Sequence, residues 1–426
     1  MDFYYPVNNR QELVIKSEIP VLSFFTGAGF LDIGFKRAGF NIVWRNEVDP
    51  VFIKNHEHGM ELFTGSTIEA KIDAPKSIEE LTPNDILTQA FHNTEKPEVF
   101  GIIGGPPCPD FSAGGKNRGR EGDHGKLLKT FIERISQIQP TFFLVENVLG
   151  LVRTAKHRAF LSEVLNSIAD KYAISISMLN SLEFAVAQDR YRIFIVGFLR
   201  KWLRQNFDNG VANNGIEWKE VIHRINGKVL HDQRRYDQNK NNQPPLFPNS
   251  DWFPWPVDYR FKDAKVNFPW PSTSPFGGNP DKLAGAPEEL MVGPLICNQN
   301  EILSLANGDE GFNPHCEKFT IIDEGDVSGK SFKRLHRWRY SPTAAYGNNE
   351  VHLHPCEARR LTIREAFRIQ SVPDSYSFPA DTSLTSKFKM IGNGVPVRLA
   401  EAVGLSLAYA LKGNFSHPLV LSDYAT

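Results

Sequence analysis

Nine residues constrain this chain more than any others: Gly104-Gly105-Pro106-Pro107-Cys108-Pro109-Asp110-Phe111-Ser112. They follow the apolar run 99–103 and precede a segment of helical periodicity over 125–139. A short apolar run closed by glycines reads as a buried parallel strand, so the Pro-rich loop lies at that strand's carboxyl end. Open α/β sheets keep their ligands at that edge. Prolines 106, 107 and 109 fix φ on both sides of Cys108 and hold the thiol on a stiff backbone. An isolated cysteine is usually a small buried hydrophobe; its surroundings decide otherwise here.

A second apolar run, 142–148, ends in Glu146-Asn147-Val148 and delivers a carboxylate to the same kind of edge. A third segment, Gln188-Asp189-Arg190-Tyr191-Arg192, places two guanidinium groups just ahead of a strand expected over 193–197. Thiol, carboxylate and paired arginines would then converge at one sheet edge. Upstream, a strand over 21–25 runs into Thr26-Gly27-Ala28-Gly29-Phe30 and a helix over 31–38. Strand, glycine turn and helix bring backbone close to a nucleoside ligand. The glycines do not form G-x-G-x-x-G, which argues against a pyrophosphate cofactor and a nicotinamide oxidoreductase. A second strand over 41–46 ends in Glu47, where an acid is suited to ribose hydroxyls.

In their order along the chain, Pro106-Pro107-Cys108, Glu146-Asn147-Val148 and Gln188-x-Arg190-x-Arg192 resemble the catalytic motifs of the DNA cytosine-5 methyltransferases. The similarity extends to both ends of the chain and omits roughly residues 200 to 335. It implies an α/β, Rossmann-like S-adenosylmethionine-dependent methyltransferase domain with a mixed, mostly parallel sheet, plus a smaller irregular target-recognition domain. The expected division is 1–200 and 341–426 for the catalytic domain and 201–340 for recognition. The resemblance assigns catalysis to Cys108, Glu146, Arg190 and Arg192. Arg192 would touch the cytosine carbonyl, and Arg190 would orient Glu146 or a phosphate. It assigns S-adenosyl-L-methionine to Phe25, Gly27, Gly29, Glu47, Val48, Pro107, Leu127, Asn393 and Val395, the last two in Ile391-Gly392-Asn393-Gly394-Val395-Pro396. Three positions depart from the family pattern: Ser23 stands where an acid is usual, Phe30 replaces the second glycine of a pair, and Ser66 replaces an adenine-contacting Asp.

Composition bounds the partners. The chain has 426 residues, 41% hydrophobic and 23% charged, as expected of two or three globular domains. No apolar run approaches the length of a membrane span, and no secretory leader is evident, so a cytoplasmic, membrane-free protein is expected. Its four cysteines, 108, 297, 316 and 356, lack the spacing of a disulfide framework or a zinc module, and no metal is expected. With a net charge of −1, any DNA-binding face must be a local cluster. Two such clusters stand out. Gly114-Gly115-Lys116-Asn117-Arg118, following Ser112, reads as a basic lid, with Ser112, Lys116 and Arg118 on DNA. Lys333-Arg334-Leu335-His336-Arg337-Trp338-Arg339 reads as a phosphate-neutralising run, with Arg334, Arg337 and Arg339 on DNA.

Near the C-terminus, 359–370 reads as an amphipathic helix that organises the recognition region, and 397–411 as the terminal helix. The expected partner is duplex DNA, bound by a monomer; a cognate restriction endonuclease acting independently is compatible with this type of enzyme. An RNA cytosine-5 methyltransferase uses the same chemistry, but the long aromatic-rich insertion favours DNA. A catalytically silent base-binding protein would need a damaged catalytic position, and all four are present.

Overall fold

The computed structural model describes residues 19–67, 75–92, 94–107, 123–207, 252–314, 316–329, 331–344, 346, 351–415 and 417–421. Its centre is a six-stranded sheet: β1 (Ile19–Phe24), β2 (Phe40–Asn46), β3 (Gly101–Gly104), β4 (Phe142–Val148), β5 (Tyr172–Asn180) and β6 (Tyr191–Leu199), in the order β2-β1-β3-β4-β6-β5. β1 to β4 pair in parallel, while β6 is antiparallel to both β4 and β5. The sheet is therefore mixed and mostly parallel, as expected.

The central strands are apolar throughout because both faces are covered. Phe142 and Leu144 fall in one core cluster and Phe143 and Val145 in the other, as the two-residue period of a strand requires. Phe194 and Val196 alternate with Ile193 and Ile195 in the same way. Helices α1 (Phe30–Arg37), α2 (Pro50–Thr64), α3 (Asp123–Ile138) and α4 (Ala155–Asn166) follow β1, β2, β3 and β4. Local chemistry sets their ends. α2 starts at Asp49, whose carboxylate accepts from the Val51 N–H, has Pro50 in its first turn, and stops at left-handed Gly65.

The end of the chain closes the fold. Helices α5 (Ile363–Ile369), α6 (Leu384–Asn393) and α7 (Val397–Leu411) come last, and α7 lies directly on α1. A Cβ on Gly34 would stand 2.4 Å from the Ala400 Cβ, so the two backbones meet at a glycine. Among the described residues, one stretch is long and apolar enough to cross a membrane, Leu384–Leu411; it comprises α6 and α7, and 83% of its most apolar window is buried inside the molecule.

Between β6 and α5 the described chain forms short pieces, including β7 (Pro256–Val257) and the parallel pair β8 (Phe332–Arg334) and β9 (Val351–Leu353). Trp252 and Phe253 belong to the main core cluster with Phe198, Trp202 and Phe415, and β7 pairs with β10 (Leu419–Val420). Residues 252–257, expected in the recognition region, thus pack on the catalytic sheet. The reason is burial: the Trp252 indole donates to the Ile174 carbonyl at 3.1 Å and its ring meets Phe198 edge-on.

Candidate active site

The loop after β1 is built to expose backbone. Phe25, Gly27 and Gly29 have φ of 54°, 53° and 78°. A positive φ is rare for phenylalanine; the Phe25 ring is braced edge-on against Phe131 of α3, with centroids 5.5 Å apart. Among the described residues, nothing lies within 4 Å of a Cβ placed on Gly27. The Glu47 carboxylate ties the loop to β2: one oxygen accepts from the Gly27 N–H at 2.9 Å, and the other from the N–H groups of Val48 and Asp49 at 2.8 and 3.1 Å. Val48 is 58% exposed beside it. Leu127 is half-buried against the cluster that contains Phe131. Asn393 is exposed at the end of α6, and Val395 is buried in the cluster that contains Leu31 and Phe35. Glycine turn, carboxylate and exposed amide fit a nucleoside-bearing ligand.

The second half of the site stands at the same sheet edge. Because β6 runs against β4, its first residues lie beside the end of β4, with Val148 opposite Arg192 and Glu146 opposite Phe194. The Arg192 Nε lies 2.9 Å from Glu146 Oε1, with both residues under 10% exposed. Burial pushes the Glu146 carboxyl above its usual range, and the Arg192 and Arg190 charges offset this only in part. Burial likewise lowers the Arg192 guanidinium. A Cβ on Gly105 would stand 3.0 Å from Glu146 Oε2. The loop that leads to Cys108 therefore passes directly over the carboxylate. Asn147 fastens it there through Nδ2 to the Pro106 carbonyl, at 3.3 Å. Sequence reasoning gave Asn147 no role; its place beside Glu146 on an edge-facing strand was the available signal. Pro107 is exposed, and Cys108, Ser112, Lys116 and Arg118 lie outside the described residues.

Arg190 is placed differently from the expectation that it orients Glu146 or a phosphate. It is wholly buried, and its guanidinium donates to the carbonyls of Ala344 at 2.7 Å, Gly392 at 2.6 Å and Gly394 at 2.9 Å. These bonds fasten the loop bearing Asn393 to the start of β6. The basic run also needs correction. Arg334 is 0% exposed and donates to the carbonyls of Phe319, Ile322, His354 and Glu357, so it cannot reach DNA. Arg337 is paired with Glu324 through Nε and Nη2; Nη2 also donates to the Gly278 carbonyl, and Nη1 donates to Asn279 Oδ1. Trp338 donates its indole N–H to the Pro280 carbonyl. Arg339 is half-buried; its guanidinium makes long hydrogen bonds, 3.4 Å to the Pro271 carbonyl and 3.3 Å to the Tyr340 hydroxyl, and stands 5.1 Å from the Tyr340 ring centre. Among the described residues, no group of three or more His, Cys, Asp or Glu is placed to hold a metal.

Known proteins resemble this arrangement along nearly its whole length. The family model for C-5 cytosine-specific DNA methylases matches residues 19–408. The Type II methyltransferase M.NmeDI of Neisseria meningitidis serogroup C is 35% identical over 426 residues, 96% of this chain and 87% of that protein. The Type II methyltransferase M.FnuDI of Fusobacterium nucleatum is 30% identical, covering 89% of this chain and 91% of that one. The fold matches the solved structure of the Entamoeba histolytica methyltransferase EhMeth, with a TM-score of 0.54 and 11% identity over 93% of this chain and 99% of that one. With a family model over most of its length and a relative of 35% identity, the chain belongs to the C-5 cytosine-specific DNA methylases and is a DNA cytosine-5 methyltransferase.

Proposed function

We propose that this methyltransferase uses S-adenosyl-L-methionine to methylate one cytosine within a specific duplex DNA sequence, after extruding that base and bonding it covalently to Cys108. The supporting observation is the buried Glu146–Arg192 pair lying under Gly105, three residues before the thiol. Cytosine carbon 5 is a weak nucleophile at neutral pH. Attack by the Cys108 thiolate on carbon 6 makes an enamine and divides one difficult step into two easier ones. Glu146, its carboxyl pushed above the usual range by burial and protonated or sharing a proton with the ring, holds N3 and stabilises the charge that builds there. Arg192 holds the ring carbonyl. The bound donor supplies an electrophilic methyl group, held by Phe25, Gly27, Gly29, Glu47, Val48, Pro107, Leu127, Asn393 and Val395. Loss of the carbon 5 proton to water and expulsion of the Cys108 thiolate then restore the aromatic ring.

A stacked base cannot enter such a pocket, so extrusion from the duplex is part of the reading. Ser112, Lys116, Arg118 and Arg339 are assigned to DNA; the recognition region is 201–340, apart from the residues 252–257 that pack on the catalytic sheet. The same reading makes the protein a cytoplasmic monomer, with any cognate restriction endonuclease acting independently. Bisulfite sequencing of DNA from cells expressing the protein tests it and identifies the target word. Protected cytosines confined to one sequence context are expected. Uniform conversion of DNA, with labelled methyl groups entering tRNA instead, would overturn it.

A further inference from the structure

Beneath the glycine turn lies a chain of buried polar groups with no part in the chemistry above. Ser23 of β1 donates its hydroxyl proton to Asp32 Oδ1 at 2.6 Å. His56 Nε2 lies 2.9 Å from Asp32 Oδ2, and His56 Nδ1 lies 2.7 Å from an Arg45 nitrogen. All four residues are at most 3% exposed. Arginine can only donate, so Nδ1 must accept and the imidazole proton sits on Nε2, donated to Asp32. A neutral histidine thus bridges a buried cation and a buried anion, and burial acts in the same direction by lowering the His56 pKa.

The placement of this chain matters more than its bonds. A Cβ on Gly29 would stand 2.7 Å from both Cδ2 and Nε2 of His56, so the imidazole forms the floor on which the glycine turn rests. Asp32 occupies the first turn of α1, directly after that loop. Arg45 lies two residues before Glu47, whose carboxylate caps Gly27. Both walls of the cradle, the start of α1 and the end of β2, therefore connect through one ring. Tyr376 steadies the turn from the other side by donating to the Ala28 carbonyl at 2.7 Å.

We infer that His56, held between Asp32 and Arg45 and backed by Ser23, is the positioning residue that sets the shape of the methyl-donor turn Phe25–Gly29. His56 touches no reacting atom; it acts through Gly29 and Glu47. The inference rests on the assignment of that turn to S-adenosyl-L-methionine, and the test separates the two. Equilibrium binding of S-adenosyl-L-methionine is measured for the full chain and for His56→Ala, His56→Gln and Ser23→Ala, alongside steady-state methylation of duplex DNA. The unmodified protein must bind the donor; if it does not, the cofactor assignment itself fails. Given that it binds, His56→Ala is expected to weaken donor affinity about tenfold or more, with a matching rise in the donor KM. The KM for DNA should stay unchanged and kcat should fall less. Glutamine can accept from Arg45 and donate to Asp32, so His56→Gln should recover most of the affinity. Ser23→Ala, which deletes a single bond, should weaken binding in the same direction by about threefold, and carries the test with His56→Gln if His56→Ala does not fold. Folded His56→Ala and Ser23→Ala variants that bind the donor as tightly as the unmodified chain would overturn the inference, as would a His56→Gln no better than His56→Ala or a loss shared equally by donor and DNA.

Discussion

Replacing Cys108 with serine changes one atom and removes the nucleophile, since a hydroxyl at neutral pH has almost no anionic form. Methyl transfer by Cys108→Ser is expected to fall below detection in a tritiated-methyl assay while the protein still retains duplex DNA on a gel. Near-normal turnover would refute the covalent route. Glu146→Gln keeps the shape but cannot supply a proton to N3, and kcat should drop about a hundredfold. Its pH behaviour has a definite sign. The folded protein holds the Glu146 proton more tightly than an unfolded chain, whose ordinary value is 4.5. Stability from this group is therefore greatest below that value and declines as pH rises through the raised native one. On going from acid to alkaline pH, the melting temperature of the unmodified protein should fall relative to Glu146→Gln. The turnover of the unmodified protein should also fall as this proton is lost, a loss that Glu146→Gln should not display.

α5 and the turn before it show what an element owes to its ends. Thr362 accepts from the Glu365 N–H while the Glu365 carboxylate accepts from the Thr362 N–H, a reciprocal cap. That carboxylate, fully buried, also takes two hydrogen bonds from Arg359 at 2.8 and 2.7 Å. Glu365→Ala should cost about 3 kcal/mol by chemical denaturation, because it removes the cap and the buried partner of both Arg359 Nη atoms, leaving that guanidinium only the Glu357 carboxylate. Elements of this kind were legible in the sequence: the terminal helix and the five sheet strands named above follow local periodicity and turn residues, while the helix expected over 359–370 starts only at Ile363, after its Thr362 cap. The fate of the arginines was not. Arg190 finds its carbonyls more than 150 residues away, and Arg334 finds its own 12 to 23 residues away in loops without periodicity. Residue order marks such groups as charged, which suggests solvent or phosphate, whereas burial converts them into clamps for backbone carbonyls. Ser23 was legible only as a departure from a family pattern, since its partner Asp32 is defined by strand-to-helix packing.

At the scale of the molecule, the residues proposed to hold the methyl donor come from sequence extremes. α7 lies on α1, and the contact is made at Gly34, where an added Cβ would also stand 2.6 Å from the Glu401 N. Gly34→Ala should push the helices apart, destabilise the whole domain by about 2 kcal/mol and reduce donor affinity in parallel. Thermal unfolding together with a binding titration checks this; an unchanged melting temperature would show that the close approach is dispensable. The opposed direction of β6 has a different consequence. Glu146 and Arg192 stand together through the rungs of one ladder, with Val148 opposite Arg192, so the 149–190 excursion does not set their spacing. Loops within that excursion can lengthen or shorten among relatives without retuning the acid and its cation, whereas a slip of a single rung would turn the guanidinium to the far face of the sheet.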